Sequence, residues 1–287
     1  MPALFITALG LLLVGWFIGQ PWWQRRRRLR LRRTPMPLAW RRLLRQQVPL
    51  YRRLPPDLQR QLRGHVQVFL ANTRIFGCQG LEVSDEMRLS VAAHAALLLL
   101  NQPDGHYPGL RQVLLYPDSF VVQRDHTDAV GVAHQTRAVL AGESWSQGQV
   151  VLSWADTQHG ARLCDDGQNV AIHEFAHQLD AQTGQTNGAP ALAPGMSRQQ
   201  WAAVLGDEFR TLQARVTRGA PALLCDYAAT DPAEFFAVAS EVFFEQPRQM
   251  LEQHPALYQQ LRLLYRIDPQ CWADIETALG PATGPGG

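Results

Sequence analysis

The chain has 287 residues, 46% of them hydrophobic and 18% charged, with a formal net charge of +2, which provides for a full core and excludes a disordered polyelectrolyte. The charge is divided: residues 1–63 carry 14 arginines against the single acid Asp57, while the remainder carries 13 arginines against 24 acids. Cys78, Cys164, Cys225 and Cys271 stand far apart with no CxxC pair, which argues against a cysteine zinc site; reduced, mostly buried thiols are expected.

From the N-terminus, Ala3 to Gly19 is an uncharged apolar run of 17 residues, the short end of what spans a bilayer as a helix. Trp22 and Trp23 follow, and then arginines from Arg25 to Arg33. Positive charge on the C-terminal side predicts a transmembrane anchor over 1–23, single-pass in the inner membrane, with the rest of the chain in the cytoplasm. A cleaved signal peptide fits worse, because there is no charged leading region and Gln-Pro-Trp-Trp offers no small-residue cleavage site. The arginines then read as a flank held against anionic headgroups, or else as a partner-docking arm. They lack the interleaved aromatics of a nucleic-acid module, so no nucleic-acid partner is expected. Residues 24–55, rich in arginine and proline, read as a juxtamembrane linker.

A globular pattern covers 56–279. Helices are expected over 57–72 and 85–101, β-rich segments over 113–116 with 120–123 and over 130–139, and a strand over 148–154. The Gly/Pro/Ala-rich tail 280–287 is expected to be disordered. The fold class is α+β, mostly helical.

His173-Glu174-Phe175-Ala176-His177 spells HExxH. On a helix, i and i+4 share a face, so both imidazoles can reach one metal while Glu174 approaches a bound water. Asp165 or Asp166 can cap this helix and Gly184 can end it. Ile172, Phe175, Ala176 and Leu179 supply a core face, and His173, His177 and Asp180 fall on another. The remaining histidines, His65, His94, His106, His126, His134, His159 and His254, have no partner at ligand spacing and read as surface or satisfied core residues.

A hydrolytic zinc site needs a third protein ligand, and spacing leaves three candidates open. Asp180 lies one turn past His177. Glu234 and Glu241 lie two turns apart on a second apolar helix, 231–244. Glu234 can equally be half of a capping box with Asp231, and Glu241 can accept a proton from a ligating imidazole.

Several blocks in order make the chain resemble the Mlc titration factor A family of bacterial zinc peptidases. They are Leu115-Tyr116-Pro117 with Phe120-Val121-Val122, Gly142-Glu143-Ser144-Trp145, Val151-Leu152-Ser153-Trp154, Asn169 to Asp180, and Asp226 to Glu241. The resemblance implies a zincin-like metallopeptidase domain similar to the catalytic domain of anthrax lethal factor. It also implies one Zn2+ per chain held by His173, His177 and Glu234, with Glu174 as base and Tyr227 as a catalytic hydroxyl, a gluzincin-like ligand set. A peptide or protein substrate follows, with aminopeptidase or endopeptidase action left open. The rival implication is a regulatory protein that sequesters an Mlc-like transcriptional repressor, with zinc mainly structural. The membrane helix and arginine run depart from the family pattern and leave the site untouched.

Overall fold

The computed structural model describes residues 2–102, 105–118, 121–127, 133–139 and 148–272; in the first helix it gives side chains only at positions 10, 15 and 16 and from 19 on, and none over 121–139. Four helices come first: α1 (Pro2–Arg33), α2 (Leu38–Gln47), α3 (Pro49–Arg53) and α4 (Pro56–Asn72). Strand β1 (Arg74–Gly77) and helix α5 (Asp85–Leu97) precede β2 (Gln112–Tyr116), β3 (Val121–Thr127), β4 (Ala133–Val139) and β5 (Gln149–Ser153). The C-terminal half is helical: α6 (Trp154–Arg162), α7 (Val170–Asp180), α8 (Arg198–Thr217), α9 (Pro232–Glu245), α10 (Pro247–Gln253) and α11 (Pro255–Tyr265).

Strands β1, β2 and β5 form a parallel sheet in that order, with Ile75 opposite Val113 and Val113 opposite Val150. Val113, Leu115, Val150 and Leu152 are buried, as strands of a covered parallel sheet require. Strands β3 and β4 pair antiparallel as a separate two-stranded ladder, Val121 opposite Val139.

Helix α7 lies at the centre, packed on β5, α5, α6 and α9, with every residue from Ala171 to Asp180 buried. Its core face fits the 3.6-residue period: Phe175 is fully buried, with ring centroids 5.5 Å from Phe69 and 5.3 Å from Tyr107. Burying such a side chain contributes about 1.5–3 kcal/mol. On the far side of α9, Phe243 and Phe244 pack on Tyr265, whose hydroxyl shares a 2.7 Å hydrogen bond with that of Ser240. Helix α7 is thus packed between the sheet and helices α5, α6 and α9.

The N-terminal expectations are corrected. Among the described residues no helix is long and apolar enough to cross a membrane, which overturns the transmembrane anchor over 1–23 and the inner-membrane, single-pass placement built on it. The helix is instead continuous through Pro21, Trp22 and Trp23 into its seven arginines, and its basic half docks on α4. Arg27 donates to Asn72 Oδ1 at 3.3 Å, Arg32 donates to the Gly105 carbonyl at 2.7 Å, and Gln67 donates to the Leu31 and Thr34 carbonyls at 3.3 and 2.8 Å. The expected linker 24–55 is likewise mostly helix and core: Met36, Leu44, Val48, Leu50, Tyr51 and Leu54 are all buried. Pro49 and Pro56 start helices, where the missing N–H has no partner to lose.

Elsewhere the expected helices and strands are present, with α5 ending at Leu97 instead of 101 and Trp154 opening α6 instead of closing β5. Cys164 is buried, but Cys225 and Cys271 are exposed, so the thiols are not mostly buried. The block Gly142–Trp145, Phe120, residues 130–132 and the tail 280–287 lie outside the described residues.

Candidate metal centre

Helix α7 starts at Asn169, whose side chain accepts from the Ile172 N–H at 3.1 Å; neither Asp165 nor Asp166 caps it. Asp166 instead accepts from the Gln168 N–H at 3.0 Å within the preceding turn. The helix tightens into a 3-10 turn over Ala181–Thr183 and stops at Gly184, as the sequence indicates. Helix α9 starts at Asp231, which accepts from the Ala233 and Glu234 N–H groups at 2.8 and 3.0 Å. Glu234 has its backbone in that cap while its carboxylate reaches the α7 imidazoles.

Three donor atoms converge between α7 and α9. His173 Nε2 is 2.9 Å from Glu234 Oε2, His177 Nε2 is 3.3 Å from the same oxygen, and the two Nε2 atoms are 3.1 Å apart. A tetrahedral ion with bonds of about 2.0–2.1 Å sets its ligand atoms about 3.3 Å apart, close to this triangle. His173 Nδ1 is 2.8 Å from Glu241 Oε1 and donates its proton there in the neutral ring, so Nε2 faces inward with a lone pair. Two imidazole nitrogens and a carboxylate thus meet in a buried site, an arrangement that a cation among them satisfies. Among the described residues this is the group of three that could hold a metal ion. The donor set therefore fits a nitrogen- and oxygen-loving divalent ion.

The electrostatics follow from that convergence. Burial opposes charge on His173, yet its hydrogen bonds to Glu234 and Glu241 raise its pKa well above the usual histidine value. Burial, and then the neighbouring His173 charge, hold His177 below the usual value despite Glu234. Burial would lift Glu234, but the two imidazoles pull it far below the ordinary carboxylate range.

Tyr227 lies on a 3-10 turn, Asp226–Ala229, that packs against α9, with its ring centroid 6.0 Å from that of His173. Partial burial and the carboxylates of Glu234 and Glu174 push its hydroxyl pKa upward, so it stays a proton donor at neutral pH. The ring is 55% exposed, which leaves it on the open side of the centre. Glu174 is buried on α7 beside the two imidazoles.

Asp180, one of the three candidate ligands, faces elsewhere: its Oδ2 accepts from the Gly188 N–H at 2.6 Å. Gly188 has φ 76°, and a Cβ there would lie 2.3 Å from the Pro232 carbonyl oxygen, so the loop after α7 crosses tightly over the start of α9. Glu241 backs His173 as one reading of the sequence allowed, and its second oxygen accepts from the Asn169 N–H. Asn169 and Glu245 are contributors that the sequence reading missed. Asn169 Nδ2 donates to Glu245 Oε1 at 2.9 Å, and the Gly167 N–H donates to Glu245 Oε2 at 3.1 Å. The available signal was the asparagine three residues before Ile172, a cap position, and two glutamates one turn apart on α9.

A helix bearing two imidazoles one turn apart, faced by a carboxylate from a second helix, is a donor set that could hold a metal ion, as a metallopeptidase requires. The chain belongs to the glucose-regulated metallopeptidase M90 family, whose model matches residues 21–266. Membership makes it metallopeptidase-like and implies a metal. It is 34% identical over 270 residues to an uncharacterized protein of Synechocystis, covering 94% of this chain and 98% of that one. It is 36% identical over 224 residues to Mlc titration factor A of Klebsiella pneumoniae, covering 77% of this chain and 84% of the relative. The Salmonella typhi protein of the same name is 34% identical over 235 residues, covering 81% and 88%. The resemblance to the Mlc titration factor A family is thus upheld.

Proposed function

We propose that the chain is a zinc-dependent, zincin-like peptidase in which His173, His177 and Glu234 hold one Zn2+. The observation that carries this reading is the convergence of three electron-rich atoms, within 4.8 Å of one another, from an HExxH helix and its neighbour. Bound there, the ion supplies Lewis acidity that makes a water nucleophilic near neutral pH and polarises a peptide carbonyl.

The chain's own residues do the rest. Glu241 holds His173 in the tautomer whose Nε2 can bind metal. Glu174 takes the proton of the attacking water and returns it to the leaving amine nitrogen as the C–N bond breaks. Tyr227 donates its hydroxyl proton in a hydrogen bond to the developing carbonyl oxyanion. Among the described residues β5 is one of the two outer strands of its sheet, and its outer edge could take an extended peptide by backbone pairing.

Replacing Glu174 by Gln tests this. Peptide hydrolysis should fall by about 10²–10⁴-fold while metal content stays near one ion per chain. Hydrolysis at the wild-type rate would overturn the assignment. Chelation should abolish activity, with zinc restoring it. The relatives named Mlc titration factor A favour a second reading, in which the chain binds a transcriptional regulator and the metal is mainly structural. Retention of regulator binding by Glu174→Gln, with hydrolysis lost, would separate that role from catalysis.

A further inference from the structure

A cavity of about 410 Å³ opens between the basic half of α1, the end of α4 and the segment 105–110. Its volume is in the range of small-molecule sites, roughly 300–1,000 Å³. Among the described residues that line it none is acidic, whereas two are arginines, Arg27 and Arg28. Arg27 gives one hydrogen bond to Asn72 Oδ1, a fraction of the five N–H donors of a guanidinium. No carboxylate among the described residues pairs with either arginine.

The other wall is apolar and aromatic. Phe69 and Tyr107 pack edge-to-face with centroids 6.3 Å apart, and both rest on Phe175 of α7, so this floor is rigid. The Tyr107 hydroxyl is committed to the Ala95 carbonyl at 2.7 Å, leaving the ring as its contribution to the cavity. Trp23 stands at the mouth, 62% exposed. Its neighbour Trp22 is covered by Arg26, 3.8 Å from the ring centroid, but no cation covers Trp23 among the described residues. An uncovered indole beside an apolar floor offers a stacking face.

The cavity wall is also held in place by contacts between α1, α4 and Gly105. His65, which lines it, is held neutral by burial and then by the Arg32 charge, with a pKa of about 3. The His65 ring and Arg32 both bind the Gly105 carbonyl, at 3.3 and 2.7 Å. Close approach of α1 is possible because Gly64 has no side chain: a Cβ there would lie 3.1 Å from the Arg32 carbonyl oxygen.

We propose that this cavity binds a small organic phosphate monoester carrying a flat ring, its phosphate on Arg27 and Arg28 and its ring between Trp23 and the Phe69–Tyr107 floor. Two forked guanidinium groups match a dianionic phosphate better than a monoanionic carboxylate. The site stands apart from the metal centre and does not rest on the peptidase reading.

The test is calorimetric titration of the full chain with phenyl phosphate, in parallel with inorganic phosphate (anion alone) and phenol (ring alone), following Trp23 by fluorescence. Phenyl phosphate should saturate more tightly than either fragment, and the Arg27→Gln/Arg28→Gln variant should bind it at least about tenfold more weakly. Trp23→Ala should weaken phenyl phosphate but not inorganic phosphate. Absence of saturable binding at millimolar phenyl phosphate overturns the proposal, as does equal affinity in the arginine double variant. An unchanged far-UV circular dichroism spectrum and denaturant midpoint report that the double variant is folded; should it fail to fold, Arg28→Gln alone is titrated against the same criterion.

Discussion

At the scale of single residues, three glutamates and one aspartate near α7 have distinct tasks set by where their helices aim them. Glu234 faces both imidazoles, Glu241 backs one of them, Glu245 grips the helix cap, and Asp180 ties a loop. Glu241→Gln should weaken metal binding by about 10–100-fold, because a neutral amide is a poorer acceptor for the His173 Nδ1 proton. Competition with a chelator of known affinity measures it, and unchanged affinity would remove Glu241 from the centre. Asp180→Ala should instead leave metal content unchanged and cost about 1–3 kcal/mol of stability, since a buried backbone N–H at Gly188 loses its acceptor. Loss of the metal from that variant would restore Asp180 as a ligand.

At the scale of elements, the junction between α7 and α9 decides whether the site forms. Asn169 caps α7 and is held to α9 through Glu245 and Glu241, so α7 and α9 are registered at one end. Burial is the largest influence on Glu245 and raises its pKa from the ordinary carboxylate value of 4.5 to about 8. The folded state therefore holds a proton there that the unfolded chain has released. This contribution to stability is full below about pH 4.5 and is lost as pH rises toward about 8, at most about 1.4 kcal/mol per pH unit. Denaturant unfolding across that range should show the decline, and Glu245→Gln should remove it. The capping exchange is where local rules competed: Asp231 and Glu234 have the spacing of a capping box, but the carboxylate of Glu234 faces the imidazoles.

At the scale of the whole molecule, buried histidines set acid sensitivity. Burial lowers His65 to a pKa of about 3 and His94 to about 4, both from 6.5. The unfolded chain takes up these protons first, so their stabilising contribution is complete above about pH 6.5 and is lost as pH falls toward 3–4. The His94→Gln variant should lose about 1.4 kcal/mol per pH unit of that slope between pH 4 and 6.5, measured by unfolding at a series of pH values. An unchanged slope would mean that His94 is protonated in the fold. These histidines show the limit of spacing arguments: nothing local marks His94 as fully buried, because its burial comes from packing by distant elements.

The chain by itself determined the parts governed by short-range periodicity and chemical type. The HExxH helix, the strands, the Asp231 cap and the Gly184 stop follow from spacings of a few residues, and the family blocks carried the choice among the third-ligand candidates. Tertiary structure decided what depends on distant neighbours. Glu241, 68 residues from His173, became its hydrogen-bond partner, and Asp180 was drawn to a loop instead of the centre. The same holds at the N-terminus, where tryptophans and arginines read locally as an anchor's flank. Packing of this helix against α4 ties Arg27 and Arg32 to the domain while Trp22 and Trp23 stay exposed, because a helix face is assigned by what covers it and not by its own composition.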